Sequence, residues 1–151
     1  TAREALTGAD VGKNVAVIGG GLVGIETAEY LVERGHNVTI VEMQSDIGMD
    51  MGTISKMSML EHYGKRDDFN YVTNAKLTAI NPDSVTVERD GKSETLGGID
   101  TVVMAVGSKP DSELKDALDK AGVAYHTAGD VNKVGQIVHA VREAFDIAMG
   151  I

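Results

Sequence analysis

Cysteine is absent from the 151 residues. Disulfides, thiolate metal ligands and cysteine nucleophiles are therefore excluded within this chain. Positive charge is scarce, with 14 Lys and Arg against 23 Asp and Glu, a net charge of -9. A nucleic-acid or anionic-membrane surface needs clustered cations, so neither partner is expected. No apolar run approaches the ~18 residues of a spanning helix. No signal peptide, internal repeat or low-complexity segment stands out, and a cytoplasmic protein is the default expectation. The four histidines, His36, His62, His126 and His139, show no metal-ligand spacing. They read as surface or packing residues, and no metal is expected.

Composition is otherwise ordinary, 42% hydrophobic and 25% charged, and the length suits a real core. Residues 14–18, "NVAVI", form an apolar β-rich run that ends in glycines. Ile25, Ala28, Leu31 and Val32 then fall on one face of a helix that Gly35 stops. Residues 37–42, "NVTIVE", read as a second strand. A βαβ unit thus closes within residues 14–42. Residues 53–63 predict another helix, with Ile54, Met57 and Leu60 on one face. Five of the seven methionines lie between Met43 and Met59; core filling is favoured over a Met-rich binding surface. From 69 to 106 the short runs "NYVT", "KLTAI", "SVTVER", "KSETL" and "DTVVMAV" read as an antiparallel meander followed by one buried strand. Asp90-Gly91 is its hairpin signal. Leu114, Ala117, Leu118 and Ala121 mark a helix between a cap at Asp111 or Ser112 and a stop at Gly122. "VAYHTAGD" predicts a short strand and turn, and Ile137, Val141, Ala144 and Ala148 a closing helix. The fold class is α/β: a Rossmann-like parallel sheet flanked by helices, with an antiparallel β-meander insertion.

Between the first strand and helix stands Gly19-x-Gly21-x-x-Gly24. Such glycines let a pyrophosphate approach the backbone at a helix N-terminus, which carries about half a positive elementary charge. Gly19 permits the turn, Gly21 leaves room for the phosphates and Gly24 lets the helix pack closely. The N–H groups near Leu22 and Val23 would face the phosphates. Glu42 lies 18 residues beyond Gly24 (42−24), close to the ~20 at which a ribose-binding acid is expected. At about 4 Å, its repulsion of a 2′-phosphate is worth roughly 1 kcal/mol in water and about 4 at an effective dielectric of 20. No Arg or Lys follows until Lys56, so NAD(H) is expected over NADP(H). Glu26 has two readings: a first-turn acid favoured by the helix dipole, or a residue at the nicotinamide end of the site.

These motifs resemble the NADH-binding portion of FAD-dependent pyridine-nucleotide oxidoreductases with two dinucleotide domains. The texture is most similar to the C-terminal region of the enoate reductase/2,4-dienoyl-CoA reductase type of NADH:flavin oxidoreductase. "VIGGGLVGIETAEYL" resembles the second dinucleotide fingerprint of that family. "GIDTVVMAVGSKPD" resembles the strand crossing back toward the flavin domain, although Ser108-Lys109-Pro110-Asp111 departs from the usual "GR-x-PN". "TAGDV" with "GQIVHAVREAFDIA" resembles the segment closing the FAD site. There Asp130 would contact the ribityl chain of the flavin; by itself it also reads as a turn or cap residue. The resemblance implies cofactor contacts at Gly19, Gly20, Gly21, Leu22, Val23, Gly24, Glu26, Glu42, Met43, Ala105, Val106, Gly107 and Asp130. It implies no catalytic acid, base or nucleophile, because hydride chemistry belongs to the cofactors.

With one fingerprint and no Met at position 1, the sequence fits a piece of a longer enzyme. Residues 1–122 would bind NAD(H), and 123–151 would be the C-terminal strand and helix of an FAD domain. The expected partners are NADH and the rest of the parent flavoprotein, with its FAD half-domain and flavin barrel; self-association stays open. Two rivals remain. One is a non-catalytic NAD(H)-sensing module. The other is a nucleotide-dependent enzyme of another class such as a methyltransferase, against which "AVGSKP" and "AGD" speak.

Overall fold

A computed structural model describes residues 1–150. They gather into two compact units, Thr1–Gly107 and Ser108–Ile151. Residue 151, the end of the expected second segment, lies outside the described residues.

In the first unit, β1 (Asn14–Ile18), β2 (Asn37–Val41), β3 (Phe69–Val72) and a strand at Thr101–Met104 form one sheet. Helices α1 (Ala2–Leu6), α2 (Leu22–Val32) and α3 (Thr53–Tyr63) belong to the same unit. Strands β4 (Ala75–Asn81), β5 (Ser84–Arg89) and β6 (Lys92–Gly97) pair antiparallel, which makes the Thr101–Met104 strand β7. The larger sheet has the order β3-β2-β1-β7 and is parallel throughout. The α/β class and the parallel sheet are as the sequence patterns predict.

β1 shows why its residues do not alternate with polar ones. Val15, Ala16 and Val17 are fully buried, because both faces of the sheet are covered. Side chains of a strand point alternately to opposite faces. Val15 and Val17 join Ile25, Ala28 and Leu31 of α2 in one core. Ala16 and Ile18 join Val85 and Val87 of β5 in another. The predicted face of α2 is thus the buried one. Ahead of β1, where no hydrophobic period is legible, Thr1 and Glu4 form a capping box that starts α1 and seats Ala2 and Ala5 in the first core.

Four expectations need correction. The run at 69–72 does not open the meander: β3 pairs parallel with β2, Val38 opposite Phe69. The edge of β2 was free for it, and Phe69 is buried among the helix-side residues. Asn74, at φ 53, then turns the chain into β4, where Ala75 N–H donates to Glu42 O at 2.9 Å. The inward face of α3 is also different. Met59 is 5% exposed whereas Ile54 is 84% and Met57 67% exposed. Met59 and Tyr63 lie one turn apart and reach the core together, and of the expected face only Leu60 packs against it. Methionine core filling accordingly describes Met59 and half-buried Met51, while Met43, Met49 and Met57 are exposed.

The last correction concerns the second unit, which holds α4 (Glu113–Ala121), a 3-10 turn at Gly129–Val131 and α5 (Ile137–Gly150). No strand forms at 123–128. A strand needs a partner edge, and the described residues of this unit contain none. Side chains satisfy the backbone instead: Gly129 N–H donates to Glu143 Oε2 at 2.8 Å and Asn132 Nδ2 to Thr127 O at 2.9 Å. Gly122 stops α4 in the left-handed conformation, φ 66, as predicted. The cap is shared: Ser112 occupies the cap position, but the Asp111 carboxylate accepts Glu113 N–H at 3.0 Å.

Opposite truncations test the face of α3. Met59→Ala should cost about 2–5 kcal/mol in urea unfolding, and Ile54→Ala about 0.5 kcal/mol or less. Equal costs would put the wrong face inward.

Candidate dinucleotide site

The site begins where β1 stops. Gly19 has φ +107, which disfavours any residue with a Cβ, and its N–H donates to Val41 O at 2.9 Å. A Cβ on Gly24 would lie 1.9 Å from Gly19 O, and one on Gly19 would lie 2.5 Å from Ala105 O. Both contacts are with backbone, which cannot move aside as a flexible side chain can. The start of α2 is therefore pressed between the ends of β1 and β7. Gly21 is the cap residue, and the first helical bond runs from Ile25 N–H to Gly21 O at 3.0 Å. The N–H groups before Ile25 are left for other acceptors.

Glu42 follows β2 directly. It is 7% exposed, and its carboxylate is held at both oxygens. Gly20 N–H donates to Oε2 at 2.5 Å and Gln44 N–H to Oε1 at 2.7 Å. A carboxylate has about four lone-pair sites, so acceptor capacity remains for a hydroxyl pair. Glu42, Gly19 and Gly21 share a cleft of about 390 Å³ with Met43, Ala105 and Val106. Its remaining walls include Gln44, Ile18, Met104 and the β4 residues Lys76 and Leu77.

Six expected residues thus meet in one cleft: Gly19, Gly21, Glu42, Met43, Ala105 and Val106. Gly20 and Gly24 shape it from behind through Glu42 and Gly19. Leu22 N–H meets the Asp50 carboxylate, 2.9 Å from Oδ1 and 3.1 Å from Oδ2. Val23 is 55% exposed at the helix start. Gly107 follows the cleft with φ +84 and is not among its walls. Asp130 belongs to the second unit, where its Oδ1 accepts Gly135 N–H at 3.1 Å.

Glu26 goes elsewhere. It lines a separate open groove between α2 and α3, with Glu29, His62 and Tyr63. Burial, and then the neighbouring Glu26 carboxylate, hold the Glu29 carboxyl above its ordinary range. Leu22, at the start of α2, also lines this groove. Among the described residues no three His, Asp or Glu side chains gather as metal ligands.

Sequence reasoning missed Asp50 and Lys76. Asp50 sits in the aperiodic "QSDIGMDMG" loop, which gives no sign of where its carboxylate points. Lys76 reaches the cleft only through the turn at Asn74, so the distance in sequence to the nearest lysine misjudged the nearest cation.

A glycine turn, the start of α2 and a strand-end acid surround one cleft, an arrangement common among α/β proteins that bind nucleotides. The chain belongs to the pyridine nucleotide-disulphide oxidoreductase family, whose match covers residues 1–142. It is 42% identical over 144 residues to an NADH oxidase of Thermoanaerobacter brockii, covering 94% of this chain and 22% of that enzyme. It is 38% identical over 132 residues to a bilirubin reductase of Mediterraneibacter gnavus, covering 87% and 20%. A 2-naphthoyl-CoA reductase structure superposes with TM-score 0.84 at 28% identity, over 99% of this chain and 23% of that one. The chain therefore spans about a fifth of these oxidoreductases. Among the described residues no helix is long and apolar enough to cross a membrane.

Removing the Glu42 carboxylate strips two N–H groups of their acceptor. Glu42→Ala should cost about 1–3 kcal/mol of stability, measured by urea unfolding without any nucleotide. A neutral result would mean that water satisfies both groups equally well.

Proposed function

We propose that the first unit docks NADH and holds it for hydride transfer to a flavin carried by other parts of a longer oxidoreductase. The observation that carries this reading is the single cleft joining Gly19 and Gly21 to Glu42. It offers a Cβ-free passage at the helix N-terminus for a pyrophosphate. Beside it, a carboxylate with unused acceptor sites can take the two ribose hydroxyls. The Asp50 carboxylate on Leu22 N–H is a further support, since an anion of this chain already selects that point. The likeness to an NADH oxidase over 94% of this chain agrees with the reading.

In this account NADH supplies the hydride. The chain contributes binding and aim. Leu22 and Val23 present N–H groups to the phosphates, Glu42 fixes the adenosine ribose, and Met43 lies beside it. Ala105 and Val106 close the cleft at the end of β7, and Gly107 leads the backbone away from it. Glu26 and Asp130 are assigned by resemblance, Asp130 as a contact to the FAD of the assembled enzyme. Residues 123–151 are then the closing segment of its FAD domain. The rest of the flavoprotein is the partner this reading requires.

Glu42 also favours NADH over NADPH, because a 2′-phosphate would meet its charge. Lys76 is the cation in the walls that offsets part of this repulsion. Titration by calorimetry should show NADH binding about tenfold tighter or more, equivalent to roughly 1.4 kcal/mol. Glu42→Arg should narrow or reverse the ratio. Tighter binding of NADPH by the unaltered chain, or binding of neither, contradicts the assignment.

A further inference from the structure

We propose that Asp50 is a built-in competitor for the phosphate position, displaced when the dinucleotide docks, so that it sets how tightly the cofactor is held. The inference rests on the NADH-docking reading and adds a residue that this reading does not need.

Three observations carry it. Both Asp50 oxygens lie within hydrogen-bond distance of Leu22 N–H, at 2.9 and 3.1 Å. The same carboxylate fills the space beside Gly21 that lacks a Cβ: the Cβ position there is 3.1 Å from Asp50 Oδ2. Asp50 is thus seated at both features that a pyrophosphate would use. The loop that carries it is also fastened to the glycine turn. Ile47 is fully buried, Gly48 N–H donates to Gly20 O at 2.7 Å and Met51 N–H to Gly48 O at 3.1 Å. Lys56 ties the loop to α3 through Asp46 at 2.6 Å.

A carboxylate and a phosphate cannot share one N–H donor without like-charge repulsion. Asp50 itself is exposed, so its side chain can turn into water while Ile47 and Gly48 stay fixed. Binding then exchanges one anion for another at the helix end. The site begins with its donor satisfied, and the cofactor gains only the difference between the two anions. Such an exchange lowers affinity and eases release, which suits a site that must discharge NAD+ after each hydride transfer.

The test compares the unaltered chain with Asp50→Asn and Asp50→Ala, titrated calorimetrically with NADH, ADP-ribose and adenosine. Both variants should bind NADH and ADP-ribose about three- to thirtyfold tighter. Adenosine, which has no phosphate, should bind unchanged. Without ligand, Asp50→Ala should melt at lower temperature because a cap is lost. Asp50→Asn keeps a capping oxygen and serves if the alanine variant folds poorly. An unchanged or weakened NADH affinity in the variants, with the unaltered chain still preferring NADH, overturns the inference and leaves the docking reading standing. An equal gain for adenosine also overturns it, since the effect would not depend on phosphate. If no form of the chain binds NADH or ADP-ribose, both fall together.

Discussion

The structure of the first unit depends on one close approach, that of Gly24 to the carbonyl of Gly19. A single Cβ would sit 1.9 Å from that oxygen, so no other residue type leaves the backbone where it is. The approach fixes α2 against β1 and turns Ile25, Ala28 and Leu31 into the core. It also drives the start of the helix into the space between the ends of β1 and β7. Core packing and the donor end of the cleft are therefore set by the same contact. A change that loosened one would misplace the other.

Electrostatics at the cleft are local. The chain has a net charge of -9, yet the point proposed for phosphates is rich in backbone donors. These dipoles are fixed by the fold and act at contact distance, whereas the surface charges are spread and screened. The two acids near the turn show the same logic. Glu42 spends its charge on Gly20 and Gln44 N–H groups, and Asp50 spends its charge on Leu22 N–H. Among the described residues Glu29 of the α2–α3 groove accepts no such N–H, and burial raises its carboxyl above the ordinary range.

Much of this was legible in the sequence because it depends on short-range patterns. The β1–α2–β2 unit has apolar periods of the right kind, glycines at fixed offsets and an acid at the strand end. The hairpin at Asp90-Gly91 has positive φ at both residues, 51 and 71, as its turn chemistry demands. What escaped depends on pairing across distance. Phe69–Val72 has the composition of any short strand, and only the free edge of β2 makes it parallel. Met57 and Met59 are equally apolar, and only the neighbouring core decides which one turns inward. The segment at 123–128 has strand-like residues but no strand beside it. Asp50 and Lys76 reach the glycine turn and the cleft through loops without period, so no spacing rule could place them.

The central claim is that the glycine turn and Glu42 form one binding surface for NADH. Amide NMR of the chain with and without NADH tests it most directly. The account predicts that the largest shift changes fall on Gly19–Gly24, Glu42–Gln44 and Ala105–Gly107, with Asp50 moving as well. Changes centred on the Glu26–His62 groove, or no changes at saturating NADH, would contradict it.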